Sequence, residues 1–322
     1  METYGFGGRL TEGFPSQVII DPTEVCNLAC THCPHPTFKK SSAYGGHSLP
    51  IELNRKAIDE IASDGRGACT HVRYASDGEP LIHPRLLDMV ADAVARSATF
   101  VSLTTNGTLL NEHRAARLLD TGVGLVDISL DAFTDETYAR IRVKGDLSVT
   151  RPNVGRLIQL RDQGGYRTRI VVSFIEQPGN RLERADFDRY WRAVGADDVI
   201  IRPLHSAAGA IVPVADLMRQ APAQPRRRPC VYPWERIVLT PVGSLGFCPA
   251  DWTRSSQFAD FRETTIRETW MGAQYAALRA AHLSNDYTDH GFCGQCPDWQ
   301  ATVWPGQGRG YGQMIQELRE TA

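Results

Sequence analysis

Seven of the eight cysteines in this chain fall into two groups, and this grouping is the most informative feature of the sequence. The first group places thiols at i, i+4 and i+7, at Cys26, Cys30 and Cys33. The second group comprises Cys230, Cys248, Cys293 and Cys296. In a reducing compartment, clustered thiols more often bind metal than form disulfides. The two groups therefore predict two metal centres.

Spacing alone does not decide which metal each group binds. Three thiols suit a four-iron cluster whose fourth iron stays open, because a closed cluster usually takes four thiolates. A structural zinc site would need a fourth ligand, for which the first group offers His32 or His35. The four thiols of the second group fit either a fully ligated iron–sulfur cluster or a closed zinc site.

Strand-like and helix-like segments alternate around the first cysteine group. Strands are predicted at 17–22, 70–76, 99–105, 125–130, 169–174 and 198–203. Helices are predicted at 51–63, 84–97, 111–120, 151–163 and 184–194. This alternation indicates an α/β fold of parallel strands joined by right-handed crossovers. Because six units are too few for a complete eight-stranded barrel, we expect a partial (β/α)6 TIM-type barrel, with an open doubly wound sheet as the alternative.

The second cysteine group falls in a separate C-terminal region. We expect an N-terminal extension at 1–16, the barrel at 17–220, a linker rich in proline and arginine at 221–229, and a small cysteine-bearing domain at 230–322. Within that domain, 235–241 and 243–248 predict a hairpin that turns at Val242–Gly243. Apolar residues at helical spacing predict one helix at 265–283.

Composition and charge limit the classes of partner. Hydrophobic residues make up 42% of the chain and charged residues 22%, as in ordinary soluble globular proteins. The formal net charge of −2 predicts no general attraction to nucleic acid or to a membrane surface. Because no apolar run is long enough to cross a bilayer and no signal peptide is evident, we expect a cytoplasmic protein. Lysine occurs only at positions 39, 40, 56 and 144, a bias that we attribute to genome composition.

The first cysteine group, a Cys-x3-Cys-x2-Cys motif after the first predicted strand, resembles that of the radical S-adenosylmethionine (SAM) superfamily. The resemblance implies a [4Fe-4S] cluster on the three thiols, with SAM bound at the open iron. It also implies that one electron cleaves SAM to methionine and a 5′-deoxyadenosyl radical, which abstracts hydrogen from the substrate. A flavodoxin- or ferredoxin-type protein would supply that electron.

Further residues stand where this family places its SAM contacts. In the motif DGEP, Gly78 and Glu79 would hold the SAM amino group, although Asp77 replaces the first glycine of the fuller family motif. The resemblance also implies contacts at His32, Asn106, Ser129 and Arg142, the last with the SAM carboxylate. These residues follow successive predicted strands, whose carboxyl ends form the active face of such folds.

The region from Cys230 to Cys296 resembles the SPASM/twitch extension found on many radical SAM enzymes. The other positions that fit this pattern, loosely, are Gly246, Asp251, Leu278 and Arg279. Because four cysteines suffice for one closed cluster, the resemblance implies one auxiliary [4Fe-4S] cluster.

Enzymes of this kind modify either ribosomal peptides or small molecules such as sugars and aminocyclitols. Peptide-modifying members often carry a leader-binding domain ahead of the barrel, and only some sixteen residues precede the first predicted strand here. We therefore expect a carbohydrate or aminocyclitol substrate. The resemblance to aminocyclitol- and aminoglycoside-pathway dehydrogenases implies oxidation of a secondary alcohol to a ketone in antibiotic biosynthesis. A radical SAM epimerase, a peptide-modifying enzyme and a non-catalytic iron–sulfur or zinc module are the alternatives.

The cysteine inventory favours oxidation over epimerisation. An epimerase must return a hydrogen atom, generally from a thiol, and Cys69 is the only cysteine outside the two groups. Cys69 opens the second predicted strand and Glu79 follows it, so roughly 25–30 Å separate them at about 3.3 Å per residue. Candidates for contacting the substrate or taking its proton are Asp251, Arg202 and His205, with Asp131 and Glu176 as strand-end carboxylates for a cationic substrate. A structural role for Asp251 as the cap of a local turn is as well supported as a role at the substrate.

Overall fold

The computed structural model describes residues 13–75, 77–220, 227–301 and 317. Within these residues, nine strands form one sheet in the order β6-β5-β4-β3-β2-β1-β7-β8-β9. The first six are parallel and follow one another in chain order. They are β1 (Gln17–Ile20), β2 (His71–Tyr74), β3 (Phe100–Thr105), β4 (Leu125–Ser129), β5 (Arg169–Glu176) and β6 (Asp198–Pro203). Sequential order is that of a partial barrel, since the order of a doubly wound sheet reverses at a switch point. The partial-barrel prediction is confirmed.

Helices connect these strands and cover the outside of the sheet. They are α1 (His35–Phe38), α2 (Ile51–Ser63), α3 (Leu86–Arg96), α4 (Glu112–Asp120), α5 (Asp135–Ile141), α6 (Leu147–Gly164), α7 (Arg184–Val194) and α8 (Val212–Gln220). The five predicted helices are confirmed, with shifts of a few residues at their ends. No helix in the part of the chain that the structure describes is long and apolar enough to cross a membrane.

The core lies between the strands and these helices. All four residues of β1 are buried, as expected for parallel strands covered on both faces. The hydroxyl of Tyr74 in β2 donates to Asn54 Oδ1 of α2 at 2.8 Å and to the Met89 carbonyl of α3 at 2.9 Å. Buried polar groups therefore help to fix the helices against the sheet and to hold the strand ends in place.

The C-terminal segment continues the same sheet. Strand β7 (Arg236–Leu239) pairs in parallel with β1, and β8 (Ser244–Gly246) and β9 (Gln257–Asp260) follow in antiparallel pairing. The predicted hairpin is present as β7 and β8, and Gly243 in its turn has φ +85°, a value that favours glycine. We propose a domain boundary within 221–229, of which 221–226 lie outside the described residues.

The prediction of one helix at 265–283 is wrong. Two helices, α10 (Ile266–Met271) and α11 (Ala273–Ser284), meet at Gly272, whose extended backbone (ψ 163°) breaks the helical path. A reciprocal capping box between Thr265 and Glu268 begins α10. The remaining helices of the segment are α9 (Tyr232–Glu235) and α12 (Gly291–Gln295).

Candidate active site

The three thiols of the first group lie in the loop that follows β1. Cys30 is buried, and Cys26 and Cys33 are partly buried. Burial together with the charges of Glu79 and Cys30 raises the pKa of Cys26 to about 11, and burial together with the charges of Cys30 and Cys26 raises that of Cys33 to about 12. Thiols in such surroundings ionise beside a strong positive charge, which the irons of a cluster supply. The donor set therefore fits an iron–sulfur cluster.

The two histidines considered as zinc ligands have other partners. His32 Nε2 lies 3.1 Å from Asp131 Oδ2, and its Nδ1 lies 3.4 Å from Gln177 Nε2. His35 Nε2 lies 2.8 Å from the carbonyl oxygen of Glu24. Among the described residues, no group of three or more His, Cys, Asp or Glu side chains is arranged to hold a metal ion. The ligands of a four-iron cluster, by contrast, bind separate irons and need not converge on one point.

Glu79 organises the strand ends beside this loop. Its Oε1 accepts a hydrogen bond from Thr105 Oγ1 at 2.6 Å, and its Oε2 accepts one from the Asn106 backbone amide at 2.7 Å. Burial nevertheless raises the pKa of Glu79. At Gly78 a Cβ atom would lie 2.2 Å from the carbonyl oxygen of Thr23, so only glycine allows this close approach. The predicted SAM-binding turn thus packs directly against the segment that leads to the cysteines.

Arg142 lies next to the first cysteine group. Its Nη2 lies 2.5 Å from Asp131 Oδ2, and its Nη1 lies 3.7 Å from Cys30 Sγ. Its Nε is buried and has no hydrogen-bond partner among the described residues. An unsatisfied buried guanidinium N–H suits an added anionic group. Arg142 is therefore already paired, but retains one donor for the carboxylate that the sequence resemblance implies.

Each of the two carboxylates considered for a cationic substrate forms an ion pair with an arginine of the same chain. Asp131 is fully buried, and Arg142 beside it holds the pKa of its carboxyl well below the usual range in spite of that burial. Glu176 Oε2 lies 3.1 Å from Arg184 Nη1 at the surface. Burial and pairing with Arg142 therefore keep Asp131 from meeting a substrate, whereas Glu176 is paired only at the surface.

Two further residues predicted to contact SAM, Ser129 and Asn106, lie at the carboxyl ends of strands β4 and β3. Ser129 ends β4 and pairs with Ser173 of β5. Asn106 Nδ2 donates to Asn27 Oδ1 at 2.9 Å, and Asn27 Nδ2 donates to Thr108 Oγ1 at 2.8 Å. Asn27 was not predicted as a site residue, although its place inside the cysteine motif is a signal that could have indicated it.

Arg202 and His205 come together where β6 ends. Arg202 Nη2 donates to Asp127 Oδ2 at 2.8 Å, which holds the guanidinium across the sheet. The side chain of His205 is about half-exposed, and the partial loss of hydration around its ring, together with the charges of His32 and Arg202, lowers the pKa of His205 in spite of the opposing charge of Asp298. His205 Nδ1 accepts a hydrogen bond from the Ala207 amide at 3.0 Å, so the neutral ring carries its proton on Nε2. His205 therefore presents a hydrogen-bond donor rather than a base.

The four late thiols also come together. Burial raises the pKa of Cys248, and charge on Cys230, Cys293 and Cys296 raises that pKa further. Burial likewise raises the pKa of Cys296 to about 11. Four mutually interacting thiols match the number that a closed cluster takes.

Asp251 acts as a turn cap. Its Oδ1 accepts hydrogen bonds from the amide and hydroxyl of Thr253 at 3.0 and 2.9 Å, and its Oδ2 accepts one from the Ser256 amide at 2.6 Å. Both oxygens thus hold the loop that follows Cys248. The structure supports the capping interpretation of Asp251 over a catalytic role, because both carboxylate oxygens already accept hydrogen bonds within the turn.

Asp298 joins the second cysteine group to the loop of His205. Its Oδ1 accepts from the amide of Ser206 at 2.8 Å and from the hydroxyl of the same residue at 2.7 Å. Its Oδ2 accepts from the Ala208 amide at 2.6 Å. Nothing in the sequence pattern predicts this contact, because it joins two loops that lie far apart along the chain.

Each of the two cysteine-bearing regions matches a known protein family. Residues 20–167 match the radical SAM superfamily, and residues 230–297 match the SPASM iron–sulfur cluster-binding domain. The chain carries a radical SAM domain followed by a SPASM domain. It is therefore a radical SAM enzyme, whose cofactors are SAM, a [4Fe-4S] cluster and auxiliary iron–sulfur in the SPASM domain.

Several relatives of the chain share about a quarter of its residues over the aligned regions. The chain is 26% identical over 188 residues to the tungsten-containing aldehyde ferredoxin oxidoreductase cofactor-modifying protein of Pyrococcus furiosus, covering 58% of this chain and 50% of that protein. It is 24% identical over 332 residues to the PqqA peptide cyclase of Streptomyces rochei, covering 90% and 87%. The chain spans about half the length of several curated relatives that it matches. The solved structure of BtrN in complex with AdoMet and 2-DOIA shares the fold, with a TM-score of 0.60 at 15% identity over 89% of this chain and 94% of that one.

Proposed function

We propose that this radical SAM enzyme oxidises a secondary alcohol of an aminocyclitol or aminoglycoside to a ketone in antibiotic biosynthesis. The observation that carries the proposal is the position of Cys69, the only cysteine outside the two cluster groups. Cys69 is buried just before β2 begins, whereas Glu79 follows the same strand at its other end. A thiol at that place cannot return hydrogen to a substrate beside Glu79. Net loss of two hydrogens therefore fits the residues better than inversion.

When bound, SAM and the two clusters supply a hydrogen-abstracting radical and an acceptor for the second electron. We assign the first cluster to Cys26, Cys30 and Cys33, and a single auxiliary [4Fe-4S] cluster to the four late cysteines. Glu79, Gly78 and Arg142 would hold the amino and carboxylate groups of SAM. The unsatisfied Nε of Arg142 supports this assignment.

We assign Arg202 and His205 to the oxygen atoms of the substrate. Both are donors at the carboxyl end of β6, and donors of this kind suit a substrate rich in hydroxyl groups. Asp298 anchors the loop of His205, so the SPASM domain would position a substrate contact as well as hold a cluster. In this assignment His205 orients the substrate, and the proton of the oxidised hydroxyl group leaves to water.

A second candidate function is modification of a ribosomal peptide. The observation that favours it is the match to PqqA peptide cyclase, which extends over 90% of this chain. The fold shared with BtrN in complex with AdoMet and 2-DOIA supports the first candidate. A flavodoxin- or ferredoxin-type reductant and a cytoplasmic location complete the proposal.

Product analysis separates these candidates. Anaerobic enzyme with reconstituted clusters is incubated with SAM, dithionite and, in turn, aminocyclitols, aminoglycosides and peptides. The proposal predicts a product lighter than an aminocyclitol or aminoglycoside by two hydrogens, formed with 5′-deoxyadenosine. A Cys26→Ala/Cys30→Ala/Cys33→Ala variant is the control and should form neither. Conversion of a peptide alone would establish the second candidate instead.

A further inference from the structure

Three of the four lysines in the chain surround the first cysteine group. Lys39 and Lys40 follow the short helix α1, which begins two residues after Cys33. Lys144 stands two residues after Arg142, whose guanidinium reaches Cys30. All three lysines are exposed. Genome composition explains why lysine is scarce in this chain. It does not explain why three of the four lysines lie beside one loop.

Backbone contacts place these lysines close to the thiols. Cys33 Sγ accepts a hydrogen bond from the His35 amide at 3.4 Å, and the His35 carbonyl accepts one from the Lys39 amide at 2.8 Å. On the other side, the Ala29 amide within the cysteine loop donates to the Val143 carbonyl at 2.9 Å. The two lysine-bearing segments therefore rest directly on the loop that holds the first cluster.

The charge on these lysines is uncompensated within the described part of the chain. None of the three forms an ion pair there, whereas Lys56, the fourth lysine, lies 2.7 Å from Glu60. The acidic residue nearest to Lys144 along the chain, Asp146, accepts hydrogen bonds from Ser148 at the start of α6 and forms no ion pair with Lys144. Beside the lysines, Val143 is 36% exposed and adds an apolar contact. The exposed residues of these two segments therefore carry three positive charges and one apolar side chain.

We propose that Lys39, Lys40, Val143 and Lys144 form the docking surface for a small electron-carrier protein with acidic groups around its redox centre. The proposal rests on the radical SAM assignment and gives the reductant of the proposed function a place to bind. Electron-transfer complexes bury small interfaces and are short-lived, and complementary charge raises their rate of association. In the transfer the carrier loses one electron and the cluster on Cys26, Cys30 and Cys33 gains it, while no bond forms or breaks.

Charge reversal tests the proposal on the reconstituted enzyme, with an acidic flavodoxin as the probe. The test variant is Lys39→Glu/Lys40→Glu/Lys144→Glu. The control variant, Arg66→Glu/Arg117→Glu/Arg189→Glu, changes net charge equally at exposed residues of other elements. Two quantities are measured over a series of salt concentrations: the affinity for flavodoxin by calorimetry, and 5′-deoxyadenosine formation without substrate, driven by reduced flavodoxin or by dithionite.

The proposal predicts that the lysine variant loses about ten-fold or more in flavodoxin affinity and in the flavodoxin-driven rate at low salt, while its dithionite-driven rate is unchanged. The wild-type affinity should fall as salt rises, because screening weakens attraction between exposed charges. Equal losses in both variants, an affinity that salt does not change, or no binding by the wild type would overturn it. Because no substrate is present, these outcomes are independent of whether the enzyme is a dehydrogenase.

Discussion

Arg254 of the SPASM domain lies 2.9 Å from Asp77 of the radical SAM domain, measured from Nη1 to Oδ2. Its Nη2 lies 2.6 Å from Glu24 Oε1. Both carboxylates are buried, one beside the Gly78–Glu79 turn and the other two residues before Cys26. One guanidinium thus pairs with two buried carboxylates, and it joins the SPASM domain to the loops that would hold SAM and the first cluster.

Removing this guanidinium should destabilise the protein strongly. Arg254→Ala would leave two carboxylates buried without their common partner, a loss of about 3–5 kcal/mol by analogy with broken buried ion pairs. The thermal unfolding midpoint, measured under anaerobic conditions, should fall accordingly. Arg262→Ala removes an exposed arginine of the same domain and should change stability by less than about 1 kcal/mol. Equal midpoints for the two variants would contradict the assigned role of Arg254.

Asp77 should make stability depend on pH. Burial raises the pKa of Asp77 to about 6, above its usual value of 3.8. Because the folded state holds this proton more tightly than the unfolded state, the associated stability is present at low pH and is lost as pH rises through about 6. Between pH 5 and 7 the unfolding midpoint of the wild type should therefore fall relative to that of Asp77→Asn. Parallel curves for the two proteins would show that Asp77 does not titrate in this range.

His205 should act on substrate binding through its N–H donor. His205→Ala should lower kcat/KM by roughly three- to ten-fold, the usual effect of one neutral hydrogen bond. His205→Gln retains an N–H donor and should recover part of that loss. The rate of 5′-deoxyadenosine formation without substrate should stay unchanged in both variants. If glutamine were as harmful as alanine, the proposed donor role would be wrong.

Cys69 should be dispensable for turnover. Its thiol is buried and lies 3.7 Å from the carbonyl oxygen of His71, and burial raises its pKa to about 12. Cys69→Ser places a hydroxyl in an apolar site, which should destabilise the protein by about 1–3 kcal/mol while product formation per folded enzyme is retained. Loss of an isomerisation activity on this substitution would favour an epimerase.

The parts of the molecule that the sequence predicted are those with local or periodic signals. Alternating segments indicated the six parallel strands, and the cysteine spacing together with the DGEP motif indicated several of the residues that the strand ends bring together. The contacts Arg254–Asp77 and Asp298–Ser206 could not be predicted, because each depends on how distant loops pack. The break at Gly272 was not predicted, because the apolar residues keep helical spacing across it. The backbone of this glycine is nevertheless extended. The pairing of Arg142 with Asp131 likewise depends on a backbone with positive φ (63°) at Asp131, which no motif indicates.

A substrate that carries deuterium on the reacting carbinol carbon distinguishes oxidation from epimerisation. The products of anaerobic turnover are analysed by mass spectrometry, once in ordinary water and once in deuterium oxide with unlabelled substrate. Our account predicts deuterium in 5′-deoxyadenosine and a ketone that has lost the label, with no carbon-bound deuterium taken from solvent at the reacting position. Recovery of an alcohol of inverted configuration, carrying solvent deuterium on that carbon, would contradict the account.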